Sequence, residues 1–208
     1  MFEKLCVIGV GLIGGSIARA ARHYGLSKNI VGYGRLEDVR NLETAKRLGV
    51  IDDYYLQIEA ALQGVDCVVI ATPVAAIENI FALLKPYWSE NIIYTDVGST
   101  KLSVIKAAER VFGKVPDNFI PAHPIAGAEQ SGVEASLYDL FINRRLIITP
   151  LKNTQIDSKN KIQDFWEVCG SVVSIMDGTR HDAVLAATSH LPHILAFALV
   201  DMLGHKDE

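Results

Sequence analysis

Four groupings of polar or small residues interrupt an otherwise apolar chain, and each could do chemistry. "PAHPIAGAEQSG" at 121–132 sets His123 between Ala122 and Pro124, just after a short apolar run. An imidazole titrates near neutral pH and serves as a general base. A histidine beside a proline also has a purely structural reading, and its expected place at the carboxyl edge of a sheet favours function. "DVGSTK" at 96–101 brings Ser99, Thr100 and Lys101 to the same edge, either as substrate contacts or as the cap of the helix that follows. "SHLPH" supplies Ser189, His190 and His193, with the two imidazoles three residues apart on one helical face. In so apolar a segment these groups need polar partners, and a bound ligand would serve. No Cys or acidic residue stands at a spacing that completes a metal site with them, so no metal is expected. His181 precedes Asp182 and reads as a helix cap. His23 and His205 read as surface residues.

The fourth grouping is Gly9, Gly11 and Gly14, a G-x-G-x-x-G between a strand and a helix, with Leu12 and Ile13 in the first helical turn. In that setting the first glycine permits a tight turn. The second lets a pyrophosphate approach the backbone, and the third lets helix and strand pack closely. The helix N-terminus then offers free N–H groups to a diphosphate. The next strand, Ile30–Tyr33, ends on Gly34 and Arg35 where an acidic residue would bind the ribose hydroxyls of NAD. Gly34 neither binds the ribose nor repels a 2′-phosphate, and Arg35 offers a guanidinium to one. The sequence therefore favours NADP over NAD. The alternative leaves Arg35 as a solvated charge and gives the ribose to Glu37 or Asp38. Thr72 and Pro73, which end the strand 65–71, are expected along the cofactor.

The elements that must position these groups alternate. Strands are expected at 5–8, 30–33, 65–71, 92–95, 119–121, 145–149 and 171–176, and helices after the glycine loop and at 41–48, 75–84, 103–112 and 159–168. Such alternation argues a doubly wound, mostly parallel sheet. The segment 180–203 reads as helix with Pro192 inside it, which predicts a kink or break. It is apolar nearly all round and needs cover from further chain or another subunit. Residues 1–178 are expected to form the dinucleotide-binding domain, and 179–208 the first segment of a C-terminal helical domain that has been cut short.

Half of the 208 residues are hydrophobic and the net charge is −4, which argues against nucleic acid or an anionic membrane surface as partner. Cys6, Cys67 and Cys169 are odd in number and apolar in setting, as in a reduced, cytoplasmic protein. No N-terminal signal is visible, and the run Ile194–Val200 is too short to span a bilayer.

In order, "GVGLIGGS", "DVGSTK", "HPIAGAEQSG" and "SHLPH" resemble the prephenate dehydrogenase family, also called arogenate or cyclohexadienyl dehydrogenases, of tyrosine biosynthesis. The resemblance covers essentially the whole chain. It implies a Rossmann-type domain and oxidative decarboxylation of prephenate or arogenate, with hydride passing to NAD(P). It makes His123 the catalytic histidine and Ser99 the serine that hydrogen-bonds the reacting hydroxyl or that histidine. His190 and His193 match histidines near nicotinamide and substrate, and the C-terminal helices match a homodimer contact. Two readings compete: a dehydrogenase of the β-hydroxyacid type, and a nucleotide-binding module without turnover. The first needs a lysine in the late helical region where this chain has "SHLPH".

Overall fold

The computed structural model describes residues 1–204, apart from the side chains of Ser189, His190, Leu191 and His193. The Ser189, His190 and His193 side chains of "SHLPH", which are expected at the substrate, therefore lie outside the described residues, as does His205.

β1 (Phe2–Ile8) is continuous with the glycine turn and with α1 (Leu12–His23). β2 (Ser27–Tyr33), α2 (Val39–Arg47), β3 (Asp53–Tyr55), α3 (Ile58–Ala61), β4 (Cys67–Ile70), α4 (Val74–Leu84), β5 (Ile93–Asp96), α5 (Lys101–Phe112) and β6 (Phe119–Ile120) follow. These six strands form one parallel sheet in the order β3-β2-β1-β4-β5-β6. The order reverses between β1 and β4, which opens a ligand crevice at the carboxyl ends of those two strands. Alternation along β1 explains the double winding. Leu5 and Val7 pack on one face with Ile17, Ala20 and Ala21 of α1, whereas Cys6 and Ile8 pack on the other with Ile77 and Phe81 of α4. All three cysteines are buried and unbonded to one another, and burial pushes the thiols of Cys6 and Cys169 up to about 12.

The expected single sheet is in fact two. After Pro121 the chain leaves the large sheet, and β7 (Ala122–Pro124) pairs antiparallel with β8 (Arg145–Ile148), which pairs parallel with β9 (Val172–Ile175). α6 (Ile156–Val168) joins the last two strands and buries Phe165 and Trp166 against the α1 face. β3 and α3 carry too few residues to show a period and escape sequence reading. The expected break in the terminal helix lies upstream of the proline. α7 (Gly178–Leu185) runs into a π-helical turn at Ala186–His190, and α8 (Leu191–Gly204) carries Pro192 in its first turn. The helix runs on without a gap from α7 through this turn into α8, so Pro192 removes one hydrogen bond from its interior and the wider π turn just before it absorbs the disruption. Among the described residues no helix is long and apolar enough to cross a membrane.

Candidate active site

The glycine turn is built as its spacing requires. Gly9 has φ +91°, and a Cβ there would stand 2.8 Å from the Ala71 carbonyl oxygen. A Cβ on Gly14 would collide with the Gly9 carbonyl oxygen and press on Val7 and Ala71, so α1 lies against β1 and β4 only because that side chain is absent. A Cβ on Gly11 would meet nothing within 4 Å. Gly11 is the N-cap of α1, no side chain caps it, and the first turn holds no acidic residue. Open space above uncapped, partly positive N–H groups suits a diphosphate.

That turn opens on a cleft of about 560 Å³ lined by Gly9, Gly11, Gly34, Arg35, Thr72 and Pro73, together with Asp38 and Asn41. Leu12, Ile13 and Gly14 form the helical turn behind it. The Thr72 hydroxyl is buried and has no hydrogen-bond partner among the described residues. A buried hydroxyl on a cleft wall without a partner is suited to a polar ligand. Asn41 joins the two lips of the cleft: its amide donates to the Val10 carbonyl at 2.6 Å and its oxygen accepts from the Val133 N–H at 3.2 Å. These features fit a dinucleotide.

Gly34 is buried and Arg35 is exposed. The Arg35 guanidinium faces Asp38 at 3.3 Å and Glu37 at 3.4 Å, and the Arg35 N–H donates to Asp38 Oδ2 at 3.0 Å. A Cβ on Gly34 would stand 3.4 Å from that same Asp38 oxygen. The Asp38 side chain, with Leu42, therefore borders the space that a side chain at position 34 would enter.

Strand register carries the cleft toward His123. Tyr33, Ile8, Ile70 and Asp96 lie in one row across β2, β1, β4 and β5. The residues after them form the carboxyl edge of the sheet, from Gly34 at one end to Val97 at the other. With neighbouring strands about 4.8 Å apart, that row is roughly 14 Å long. Asp96 ends the row and is fully buried; its carboxylate accepts from the Gly98 N–H at 2.8 Å and the Ala122 N–H at 3.3 Å. Ala122 is the residue before His123, so the imidazole is tied to the end of the sheet edge opposite Arg35.

Lys101, expected among substrate contacts, has no exposed surface. Its ammonium reaches Asp96 Oδ2 at 2.5 Å and the Ala122 carbonyl at 2.6 Å. Burial lowers its proton affinity, and the Asp96 carboxylate opposes that. Lys101 thus fastens β7 to β5 from inside. Ser99 lies exposed on the bend before α5. The reading of Ser99, Thr100 and Lys101 as a cap does not describe α5: its N-cap, Thr100, makes no side-chain cap.

The α5 amides are capped instead by a residue 81 positions away. Asp182 accepts from the Lys101 N–H at 2.8 Å and the Leu102 N–H at 3.0 Å. Asp182 also lies 2.7 Å from Nδ1 of His181, whose Nε2 is 2.9 Å from Nδ1 of His123. His181 is fully buried and His123 nearly so. Burial lowers the proton affinity of His181 against the opposing pull of Asp182. Burial pushes the Asp182 carboxyl up, but the hydrogen bonds from His181 and the two α5 amides outweigh it and hold the group below the usual range. His181 does not cap its own helix; Asp177 does, accepting from the Arg180 N–H at 2.9 Å. The sequence signal for the pair was present, an adjacent His and Asp at the head of a long uncharged run, but its partners are far away along the chain.

Comparison with known proteins gives a consistent result. Residues 17–175 match the family "Prephenate dehydrogenase, nucleotide-binding domain", and residues 177–208 match "Prephenate dehydrogenase, dimerization domain". A cyclohexadienyl dehydrogenase of Zymomonas mobilis is 37% identical over 207 residues, covering 98% of this chain and 68% of the relative. A prephenate dehydrogenase of Bacillus subtilis is 33% identical and covers all of this chain, which spans 55% of that relative's length. The crystal structure of prephenate dehydrogenase from A. aeolicus in complex with hydroxyphenyl propionate and NAD+ superposes with a TM-score of 0.90 at 35% identity, over 99% of this chain and 71% of that one.

Proposed function

The chain belongs to the prephenate dehydrogenase family, and from that premise we propose that it holds the cofactor site and the catalytic base of an enzyme that oxidatively decarboxylates prephenate or arogenate. The single observation that carries the reading is the row across the sheet edge, with the glycine turn at its centre and His123 tied to its end. The uncapped amides of α1 hold the diphosphate, and the Thr72 hydroxyl offers a further contact. NAD(P), when bound, supplies the hydride acceptor. His123 takes the proton of the ring hydroxyl as that carbon is oxidised and the ring carboxylate leaves as CO₂. The ring becomes aromatic, which makes the step favourable. Ser99 orients the hydroxyl, and Ser189, His190 and His193 complete the substrate pocket. Lys101 acts from behind β7, holding the histidine's backbone. The C-terminal helices form a homodimer contact.

For the dinucleotide we propose NADP, with the exposed Arg35 guanidinium turning from Glu37 and Asp38 to the 2′-phosphate. One observation favours NAD as a second reading: the Asp38 carboxylate borders the space that a side chain at position 34 would enter, ready to accept from ribose hydroxyls. Titration of the protein with both nucleotides tests the two together. If Arg35 binds the phosphate, Arg35→Ala weakens NADP by about 1–3 kcal/mol and leaves NAD unchanged. If Asp38 binds the ribose, Asp38→Ala weakens NAD by a similar amount and improves NADP. The activity itself is tested by adding prephenate or arogenate with either nucleotide and following the reduced nicotinamide. No turnover by the intact enzyme with any of the four pairs would refute it.

A further inference from the structure

We propose that His181 is a positioning residue that, oriented by Asp182, fixes His123 in the tautomer whose Nδ1 carries the hydrogen and whose Nε2 is the base. This rests on the reading of His123 as the base and adds how that base is prepared.

The hydrogen-bond chain is ordered from its charged end. Asp182 receives two backbone N–H bonds from the start of α5 and is held ionised. An ionised carboxylate only accepts, so at 2.7 Å it requires a hydrogen on Nδ1 of His181. His181 is fully buried, and burial keeps it from taking a second proton. Neutral imidazole with hydrogen on Nδ1 has its lone pair on Nε2. That lone pair lies 2.9 Å from Nδ1 of His123, which must therefore be the donor. His123 is left with its basic lone pair on Nε2. The rings stand 5.1 Å apart at 60°, tilted as a ring-nitrogen bond allows and not stacked.

Among the described residues, the groups acting on His181 are Asp182 on α7, Lys101 on α5, Asp96 at the end of β5 and His123 on β7. The Lys101 and Asp96 charges pair with each other, leaving Asp182 as the net charge along the chain. When His123 accepts a proton, His181 and Asp182 stabilise the resulting imidazolium. An aspartate behind a histidine does the same in hydrolytic triads, where loss of tautomer control is severe. Here one more imidazole carries the effect from α7 to β7.

Two measurements test the proposal. Two-bond proton–nitrogen correlation spectra of the intact enzyme at neutral pH report each tautomer without any substitution or turnover; His123 is expected with hydrogen on Nδ1. The pH dependence of kcat/KM is then compared among wild type, His181→Phe, His181→Gln and His123→Asn. Phenylalanine keeps an aromatic ring and removes the acceptor, so a loss on the order of 10²-fold is expected, with the acid limb moved to lower pH. Glutamine accepts from His123 and donates to Asp182, so it restores activity to within about threefold and returns the limb. His123 found with hydrogen on Nε2 in the wild type, or an unmoved acid limb in a folded His181→Phe, overturns the proposal. Full activity in His123→Asn refutes the base reading instead, while the tautomer spectrum still decides the role of His181.

Discussion

The Lys101 ammonium lies between a carboxylate and a carbonyl, with no exposed surface on itself or on Asp96. Removing one member of such a pair leaves an uncompensated buried charge. Lys101→Met should lower folding stability by roughly 3–5 kcal/mol, and adding Asp96→Asn should return part of it; urea unfolding of the single and double variants measures both. A contact to substrate alone would instead raise KM with little loss of stability. His181 gives a second prediction. Burial lowers its folded-state proton affinity below the ordinary 6.5, so below that pH the unfolded chain binds a proton that the folded chain refuses. Stability should therefore fall as pH drops through about 6.5, and His181→Gln should flatten that fall. Residue types were legible where chemistry is local: an imidazole in "AHP" and the glycines of the turn. Pairings were not. Lys101 meets Ala122 across 21 residues and Asp182 across 81, and spacing alone gives no hint of either.

At the scale of elements, the turn between β1 and α1 separates two roles for glycine. Gly14→Ala must push α1 from β1, since its Cβ would strike the Gly9 carbonyl, so both thermal stability and nucleotide affinity should fall. Gly11→Ala meets no neighbour and should leave stability unchanged while weakening nucleotide binding at least tenfold, because the methyl group enters the space expected for the diphosphate. Calorimetry with and without nucleotide checks the pair; equal affinity of both variants with wild type would show that no diphosphate sits there. Long amphipathic or β-branched segments were readable because burial imposes a period on them. The split into two sheets was not. Strands β6 and β7 are separated only by Pro121, which in sequence reads as one short strand.

Across the described residues, α8 presents apolar surface that the sheet domain does not cover. Ile194, Phe197, Val200 and Leu203 of α8 are all exposed, Phe197 to 74%. So much apolar surface on one element marks a contact, in keeping with the match of 177–208 to a dimerisation domain. The 208-residue chain should self-associate in light scattering, and Phe197→Lys with Leu203→Lys should shift it toward monomer. The sheet edge that organises the rest ends at His123, and one measurement bears on it most directly. Single-turnover reduction of nicotinamide, with substrate and nucleotide saturating, should be at least 10²-fold slower in His123→Asn than in wild type, with nucleotide affinity unchanged and the acid limb of the rate profile gone. A variant that turns over at the wild-type rate with the same pH profile would contradict the account.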